Sequence, residues 1–238
     1  IDYVTLTAEP GVIGGVPQGG LNFGTAKNVD AVVDEPYQFD FYDGGGLDVA
    51  FLGLAQVDRR GNLNVSKFGP KLAGAGGFIN ISQNARKVVF VGSFTAGGLK
   101  VDISDAGLTI VREGRSKKFV EEVEQITFAA EVAVQKGQPI LYVTERAVFD
   151  LTDRGPRLLE VAPGIDLERD VLAQMEFEPL IEGEPATMDP RLFAAGTMGL
   201  KGEQLTEMSS LQVSGCIAVS NARKPLRDNL VYRRAMEY

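Results

Sequence analysis

The chain has 238 residues, 44% of them hydrophobic, with a formal net charge of −8. It contains no His and no Trp and a single Cys, Cys216, which excludes a Ser-His-Asp or Cys-His nucleophile and leaves no ligand set with zinc spacing. The acidic balance argues against nucleic acid as a partner, and no apolar run approaches the roughly 18 residues that cross a bilayer. The expectation is a soluble, cytoplasmic protein of one or two domains with a large core, no membrane span and no metal. Its chemistry must come from carboxylates, hydroxyls, amines and backbone groups, or from a partner chain. Cys216 reads as an ordinary buried thiol. The opening on Ile1, directly in a strand and without a methionine, points to a fragment, a processed chain or one half of a larger protein.

In chain order, Tyr3 to Ala8 alternates, with Val4, Leu6 and Ala8 on one side, and predicts a half-buried strand with Glu9 as the first residue after it. A carboxylate at the end of a strand, followed by Pro10 and a glycine-rich loop (Gly11, Gly14, Gly15, Gly19, Gly20, Gly24), stands where open α/β sheets place their chemistry. Taken alone, a Glu in that position is more often a solvated turn residue. The nearly continuous apolar runs Val49 to Val57 and Val88 to Val91 predict strands covered on both faces, hence a central, mostly parallel sheet.

Further on, Leu99 to Ile103 and Leu108 to Arg112 predict a hairpin around the polar Ser104-Asp105-Ala106-Gly107. The charged bend Arg112 to Lys118 reads as solvated surface. Ile140 to Thr144, Ala147 to Leu151 and Leu158 to Val161 predict antiparallel strands at the sheet edge, the last two joined by Asp153-Arg154-Gly155-Pro156. Asp166 follows Pro163-Gly164-Ile165 as an N-cap, and Leu167, Val171, Leu172 and Met175 form a core-facing stripe behind it. From about Lys201 the composition changes: Arg223, Lys224, Arg227, Arg233 and Arg234 gather beside Leu226, Leu230 and Val231. That pattern reads as a helix with a solvated basic face, or as a contact with an anionic ligand or an acidic subunit surface.

Several of these segments occur together in one known family. Thr7-Ala8-Glu9-Pro10-Gly11 with Ile13-Gly14-Gly15, Phe39-Asp40-Phe41-Tyr42 with Gly44-Gly45-Gly46-Leu47-Asp48, the stretch Gly53 to Gly69, Gly74-Ala75-Gly76-Gly77-Phe78-Ile79-Asn80-Ile81, Thr144-Glu145-Arg146-Ala147-Val148-Phe149 and Ala162 to Leu167 resemble family I coenzyme A transferases. The likeness is strongest to the C-terminal, β-type half of the fused short-chain acyl-CoA:acetate and propionate CoA-transferases. It runs from Ile1 to about Leu200, so residues 1–200 are expected to form the catalytic domain and 201–238 an extension of unassigned role.

The resemblance implies an α/β fold with a mostly parallel central sheet, helices on both faces and added antiparallel strands. It implies that Glu9 attacks an acyl-CoA thioester, passes through a mixed anhydride and becomes a glutamyl-CoA thioester that an incoming carboxylate resolves. Such a reaction needs neither His nor metal. The resemblance further assigns an oxyanion donor to the N–H of Gly77, beside Gly76, and places Gly53, Gln56, Asn62, Asn64 and Lys67 on the coenzyme A side, with Lys67 available for a phosphate or carboxylate. Each of these could equally be plain strand-end structure. No cofactor is held permanently, coenzyme A being substrate and covalent intermediate. The implied partners are acyl-CoA, short carboxylic acids such as acetate, propionate or acetoacetate, an N-terminal (α-type) half or subunit, and further copies in a homo-oligomer. Two other readings fit the same fold: a non-catalytic ligand-binding or assembly module, which has no need of Glu9, and a phosphosugar isomerase using a carboxylate as general base.

Overall fold

The structure, a computed structural model, describes residues 4–104 and 107–193. Its centre is a six-stranded mixed sheet of β1 (Ala50–Gly53), β2 (Val88–Val91), β3 (Ile140–Val143), β4 (Ala147–Thr152), β5 (Gly155–Val161) and β6 (Ala186–Thr187), lying side by side in chain order. β1, β2 and β3 are parallel, β3 to β5 form an antiparallel meander, and β6 adds parallel to β5. The α/β class with parallel strands plus an antiparallel edge therefore holds.

Among the described residues three short α-helices accompany the sheet: α1 (Glu35–Asp43), α2 (Phe78–Asn84) and α3 (Ala130–Lys136). The crossovers between the parallel strands run through α2 and α3, as parallel pairing requires. One sheet face, carrying Leu52, Phe90, Tyr142, Phe149 and Leu158, packs with Phe78 of α2 and Ala130 and Ala133 of α3 into the main core. Phe90 is its hub, with ring centroids 5.6 Å from Phe78, 4.9 Å from Phe128 and 5.8 Å from Tyr142. Burying each such ring contributes on the order of 1.5–3 kcal/mol. The opposite face, with Val143, Val148 and Leu159, packs with the hairpin Lys100–Ser104/Gly107–Arg112, through Val101, Ile103, Leu108 and Ile110, and with Met188, Leu192 and Phe193, Leu192 lying in the short 3-10 helix Pro190–Leu192.

Several local expectations need correction. Of the strand predicted over Tyr3 to Ala8, the described residues 4–8 form only Thr7–Ala8, which pairs antiparallel with Val12–Ile13 in a small separate sheet rather than feeding the central one. The apolar run Val49 to Val57 is two strands in two sheets, because β1 ends at Gly53 and Gln56–Asp58 pairs with Leu63–Asn64 and Phe119–Val120. Arg112 to Lys118 is not simply solvated, since Lys118 is buried. The Asp166 cap is present, its Oδ1 accepting from the Arg169 N–H at 2.8 Å, and Val171 and Met175 behind it are core residues. Among the described residues no helix is long and apolar enough to cross a membrane, and no cluster of His, Cys, Asp or Glu could hold a metal. Cys216, the basic cluster from Arg223 to Arg234 and the unit 201–238 lie outside the described residues.

Candidate active site

Glu9 sits in the turn of the hairpin Thr7–Ala8/Val12–Ile13, which the Gly11 N–H closes onto the Ala8 carbonyl at 3.0 Å. Gly11 has φ +111°, and a Cβ there would lie 1.9 Å from the Val33 carbonyl oxygen, so only glycine fits. The Val33 N–H returns a bond to the Gly11 carbonyl at 2.9 Å, and Ala31–Val32 forms the third strand beside Val12–Ile13. On its other side the turn is tied to α1. Gln38, fully buried, donates to Thr7 Oγ1, to Tyr42 Oη at 2.7 Å and to the Ala8 carbonyl at 3.5 Å, and Thr7 and Tyr42 also share a hydrogen bond. Buried polar contacts of this kind fix backbone position. The residue before Glu9 is therefore held from both sides.

The Glu9 side chain is half-buried and points at the start of α2, where the Gly77 N–H donates to its Oε1 at 3.0 Å. The approach is close: a Cβ at Gly77 would stand 2.5 Å from Phe39 Cζ and 2.8 Å from Glu9 Cδ, whereas one at Gly76 would meet Glu9 Oε1 at an ordinary 3.8 Å. Burial pushes the Glu9 carboxyl above its usual range, the Gly77 N–H pulls it back, and the negative charge of Glu35 on α1 pushes it up again. The result is a poorly solvated carboxylate with one backbone donor on one oxygen. Because α2 leads into the start of β2, its Gly77 end lies toward the C-terminal edge of β1 to β3, the edge where Gly53 terminates β1.

The remaining sequence-predicted residues are placed differently. Asn62 is buried and structural: it donates to Asp58 Oδ2 at 3.0 Å and its Oδ1 accepts from the Ala130 N–H at 2.9 Å, capping α3. Asn64 is fully buried, donating to Gln56 Oε1 at 2.8 Å and to the Lys67 carbonyl at 2.6 Å, and accepting from the N–H groups of Ser66 and Lys67. Lys67 pairs with Glu124 at 2.8 Å in a partly exposed bridge. Gln56 to Lys67 is thus a rigid loop whose amides hold one another. Of these residues Gly77 is brought to Glu9 by a hydrogen bond, and Gly76 precedes it in the chain.

Sequence reasoning missed Gln38 and Glu35 and gave no role to Phe39 and Tyr42, which lie in a segment that carries the resemblance; together they position, crowd and polarise Glu9. It also missed a buried ionic cluster beyond the ends of β2 and β3. Arg146, fully buried, grips Glu113 with two nitrogens at 2.6 and 3.1 Å and Glu145 at 2.6 Å, with its guanidinium 5.0 Å from the Phe94 ring centre. Beside it Lys118 donates to the Ser93 carbonyl at 2.7 Å, and burial lowers its pKa to about 7 against the opposing pull of Glu145. A Lys whose folded value lies below its unfolded value of about 10.4 leaves the unfolded state binding more protons between those limits, so stability rises with pH across that window. Denaturant unfolding between pH 7 and 9 should show a gain of up to about 1.4 kcal/mol per pH unit, and Lys118→Met should lose it. An equal slope in both proteins would remove Lys118 as the cause.

Comparison with known proteins finds relatives of the chain. The chain is 49% identical over 198 residues to acetate CoA-transferase YdiF of Escherichia coli K12, and 51% identical over 205 residues to caffeate CoA-transferase of Acetobacterium woodii. These matches cover 83% and 84% of the chain. The chain belongs to the coenzyme A transferase family. The crystal structure of E. coli O157:H7 YdiF, 48% identical, superposes with a TM-score of 0.77 over 84% of this chain and 38% of that one. YdiF has also been crystallised as a thioester complex with CoA, which matches with a TM-score of 0.75. The chain spans 37% and 39% of the length of the two curated relatives. A short second likeness, 43% identity over 49 residues, is to dihydroorotase of Trichlorobacter lovleyi. No family model matches the chain.

Proposed function

We propose that this chain is the β-type half of an acyl-CoA:carboxylate CoA-transferase that acts on short acyl groups, with Glu9 as nucleophile. The observation that carries the reading is the 3.0 Å contact from the Gly77 N–H to Oε1 of a half-buried Glu9 in a glycine-lined turn. A Glu9 oxygen attacks the thioester carbonyl carbon, and the tetrahedral oxyanion collapses, expelling the CoA thiolate and leaving an acyl-glutamyl anhydride. The thiolate then attacks Glu9 Cδ, the acyl group leaves as its carboxylate, and Glu9 carries CoA as a thioester. The second acid reverses these steps and departs as its own acyl-CoA.

The Gly77 N–H already addresses the Glu9 oxygen that becomes the oxyanion during attack at Cδ. Its role is thus assigned to the steps centred on Glu9 rather than on the acyl group. A donor so placed is worth roughly 2.7–4 kcal/mol of barrier. The loop Gln56 to Lys67, with Gly53, is assigned to the coenzyme A side through its backbone and its rigidity, since the side chains of Asn62 and Asn64 are engaged within the fold. Acetate, propionate and related short acids are the proposed acceptors, an α-type half the partner, and the cytoplasm the location.

Incubation of the protein, joined to its other half, with propionyl-CoA followed by peptide mass analysis tests the reading. The Glu9 peptide should gain the mass of coenzyme A less water. Its absence, with the same peptide recovered unmodified, would remove Glu9 as the nucleophile.

A further inference from the structure

Gly76 and Gly77 share one peptide plane, and its N–H is the group aimed at Glu9. Glycine on both sides lets such a plane turn over at little conformational cost, so its direction has to be imposed by neighbours. Helix α2 holds one side: the Gly77 carbonyl accepts from the Ile81 N–H at 3.0 Å, and Phe78 is anchored in the core. That carbonyl belongs to the following peptide and does not set the aim of the Gly77 N–H. On the preceding side packing gives little help, since Lys71 to Gly74 and Gly76 are exposed. Hydrogen bonds to Ser66 hold this stretch instead. The Ser66 carbonyl accepts from the N–H groups of both Ala73 and Gly74, at 2.8 and 3.0 Å, closing the hairpin Lys67–Phe68/Lys71–Leu72 at its base. From there the Ala75 carbonyl accepts from the Phe78 N–H at 3.2 Å and completes the turn into α2.

Ser66 is itself gripped by a residue 61 positions away. It is buried, and its hydroxyl lies 2.8 Å from that of Thr127, which is buried too and also accepts from the Val65 N–H at 3.1 Å. Thr127 stands on the segment leading into α3, where its N–H donates to the Leu63 carbonyl at 2.7 Å. Three residues earlier Glu124 takes the far end of the hairpin, accepting from the Gly69 N–H at 2.7 Å and from Lys67 Nζ at 2.8 Å. A buried threonine is ordinarily core filling. Here both bonds of the hydroxyl fall on Val65 and Ser66, the residues from which the loop to Gly77 is hung.

We infer that Thr127 is a positioning residue for the proposed transfer: its hydroxyl, acting through Ser66 and the hairpin base, sets the direction of the Gly77 N–H toward Glu9. The catalytic consequence rests on the reading of Glu9 as nucleophile, whereas the relay from Thr127 to Gly77 does not. Thr127→Val removes both bonds and leaves the Val65 N–H and the Ser66 hydroxyl buried without that partner, so Ser66 must shift to find another. The Gly76–Gly77 plane then turns away from the carboxylate.

The Gly77 amide reports its own aim in an NMR titration, because a hydrogen bond to a carboxylate strengthens when the carboxylate ionises. In the isotope-labelled wild-type chain its proton resonance should move downfield as pH rises through the Glu9 titration, and Glu9→Gln should abolish the movement. Thr127→Val should lose most of it while the protein stays folded, and Thr127→Ser, which keeps the hydroxyl, should retain it. Ser66→Ala removes the same hydroxyl pair from the other side, keeps the Ser66 carbonyl, and should reduce the movement in the same direction. Glu35, whose charge also acts on Glu9, lies on another element and is unchanged in all four variants. A threonine that served stability alone would lower the melting temperature on replacement and leave the movement whole. With the other half joined, Thr127→Val should lower kcat by roughly 10²-fold and leave KM little changed. A full movement in folded Thr127→Val or Ser66→Ala, or a loss that Thr127→Ser shares, would overturn the inference. Absence of transfer in the wild type, with the Gly77 resonance still dependent on Thr127, would instead count against the transferase reading and leave the relay standing.

Discussion

Under the proposed mechanism, Glu9→Gln should abolish CoA transfer, with kcat falling by a factor on the order of 10⁴ or more, because a carboxamide cannot form the anhydride. The fold should survive, since the Gln carbonyl can still accept the Gly77 N–H. Stability should move the other way. Burial and the Glu35 charge hold the Glu9 carboxyl above its unfolded value, so between the two the folded state binds the extra proton and stability falls as pH rises. The amide has no such window. Glu9→Gln is therefore expected to be the more stable protein at pH 7, with the gap closing below the ordinary carboxylate range, as urea unfolding at pH 4 and pH 7 would report. A group kept for the proposed catalysis at the expense of stability is a familiar trade. The wild-type rate should rise with pH through the same raised pKa, and Glu35→Gln should shift that profile toward acid by removing one of the groups that raises it. A profile that does not move would exclude Glu35 from tuning the nucleophile.

How far the sequence carried this reading depended on whether local chemistry was sufficient. Period-two alternation and apolar runs located β2 to β5 and the hairpin Lys100–Ser104/Gly107–Arg112, because strands buried on one or both faces leave that signature directly. The three helices were not legible. Each has nine residues or fewer, and α1 has aromatics on both faces, so no single apolar stripe marks it. Glu9 and Gly77 were found through resemblance. Their contact spans 68 positions of sequence and no spacing rule links them. The stretch Arg112 to Lys118 misled because charge normally means solvent, whereas here Lys118 and the Glu113–Arg146 pair are compensated by groups far along the chain. Asn62 and Asn64 show the converse: polar residues that the resemblance assigns to the coenzyme A side, whose hydrogen bonds close on the protein itself. Recognising Asn62 as a cap needed knowledge of where α3 begins.

The sharpest test of the site's geometry is Gly77→Ala. The backbone at Gly77, φ −77° and ψ 0°, is open to any residue, so the effect of a methyl group there is steric and not conformational. That methyl would stand 2.5 Å from Phe39 Cζ and 2.8 Å from both Glu9 Cδ and Glu9 Oε1. Neither separation is tolerable, so the ring or the carboxylate must move, and a packed site resists both. Stability should fall by about 1–3 kcal/mol, as for other overpacked positions. The transfer rate should fall much further, by roughly 10²–10³-fold, because displacing Glu9 removes the Gly77 N–H from the oxygen it must stabilise. Phe39→Leu in the same protein separates the two clashes. It relieves the contact with the ring and leaves the contact with Glu9, so it should recover most of the lost stability and little of the lost rate. Recovery of both would mean that Phe39, and not the contact between Gly77 and Glu9, governs the position of the nucleophile.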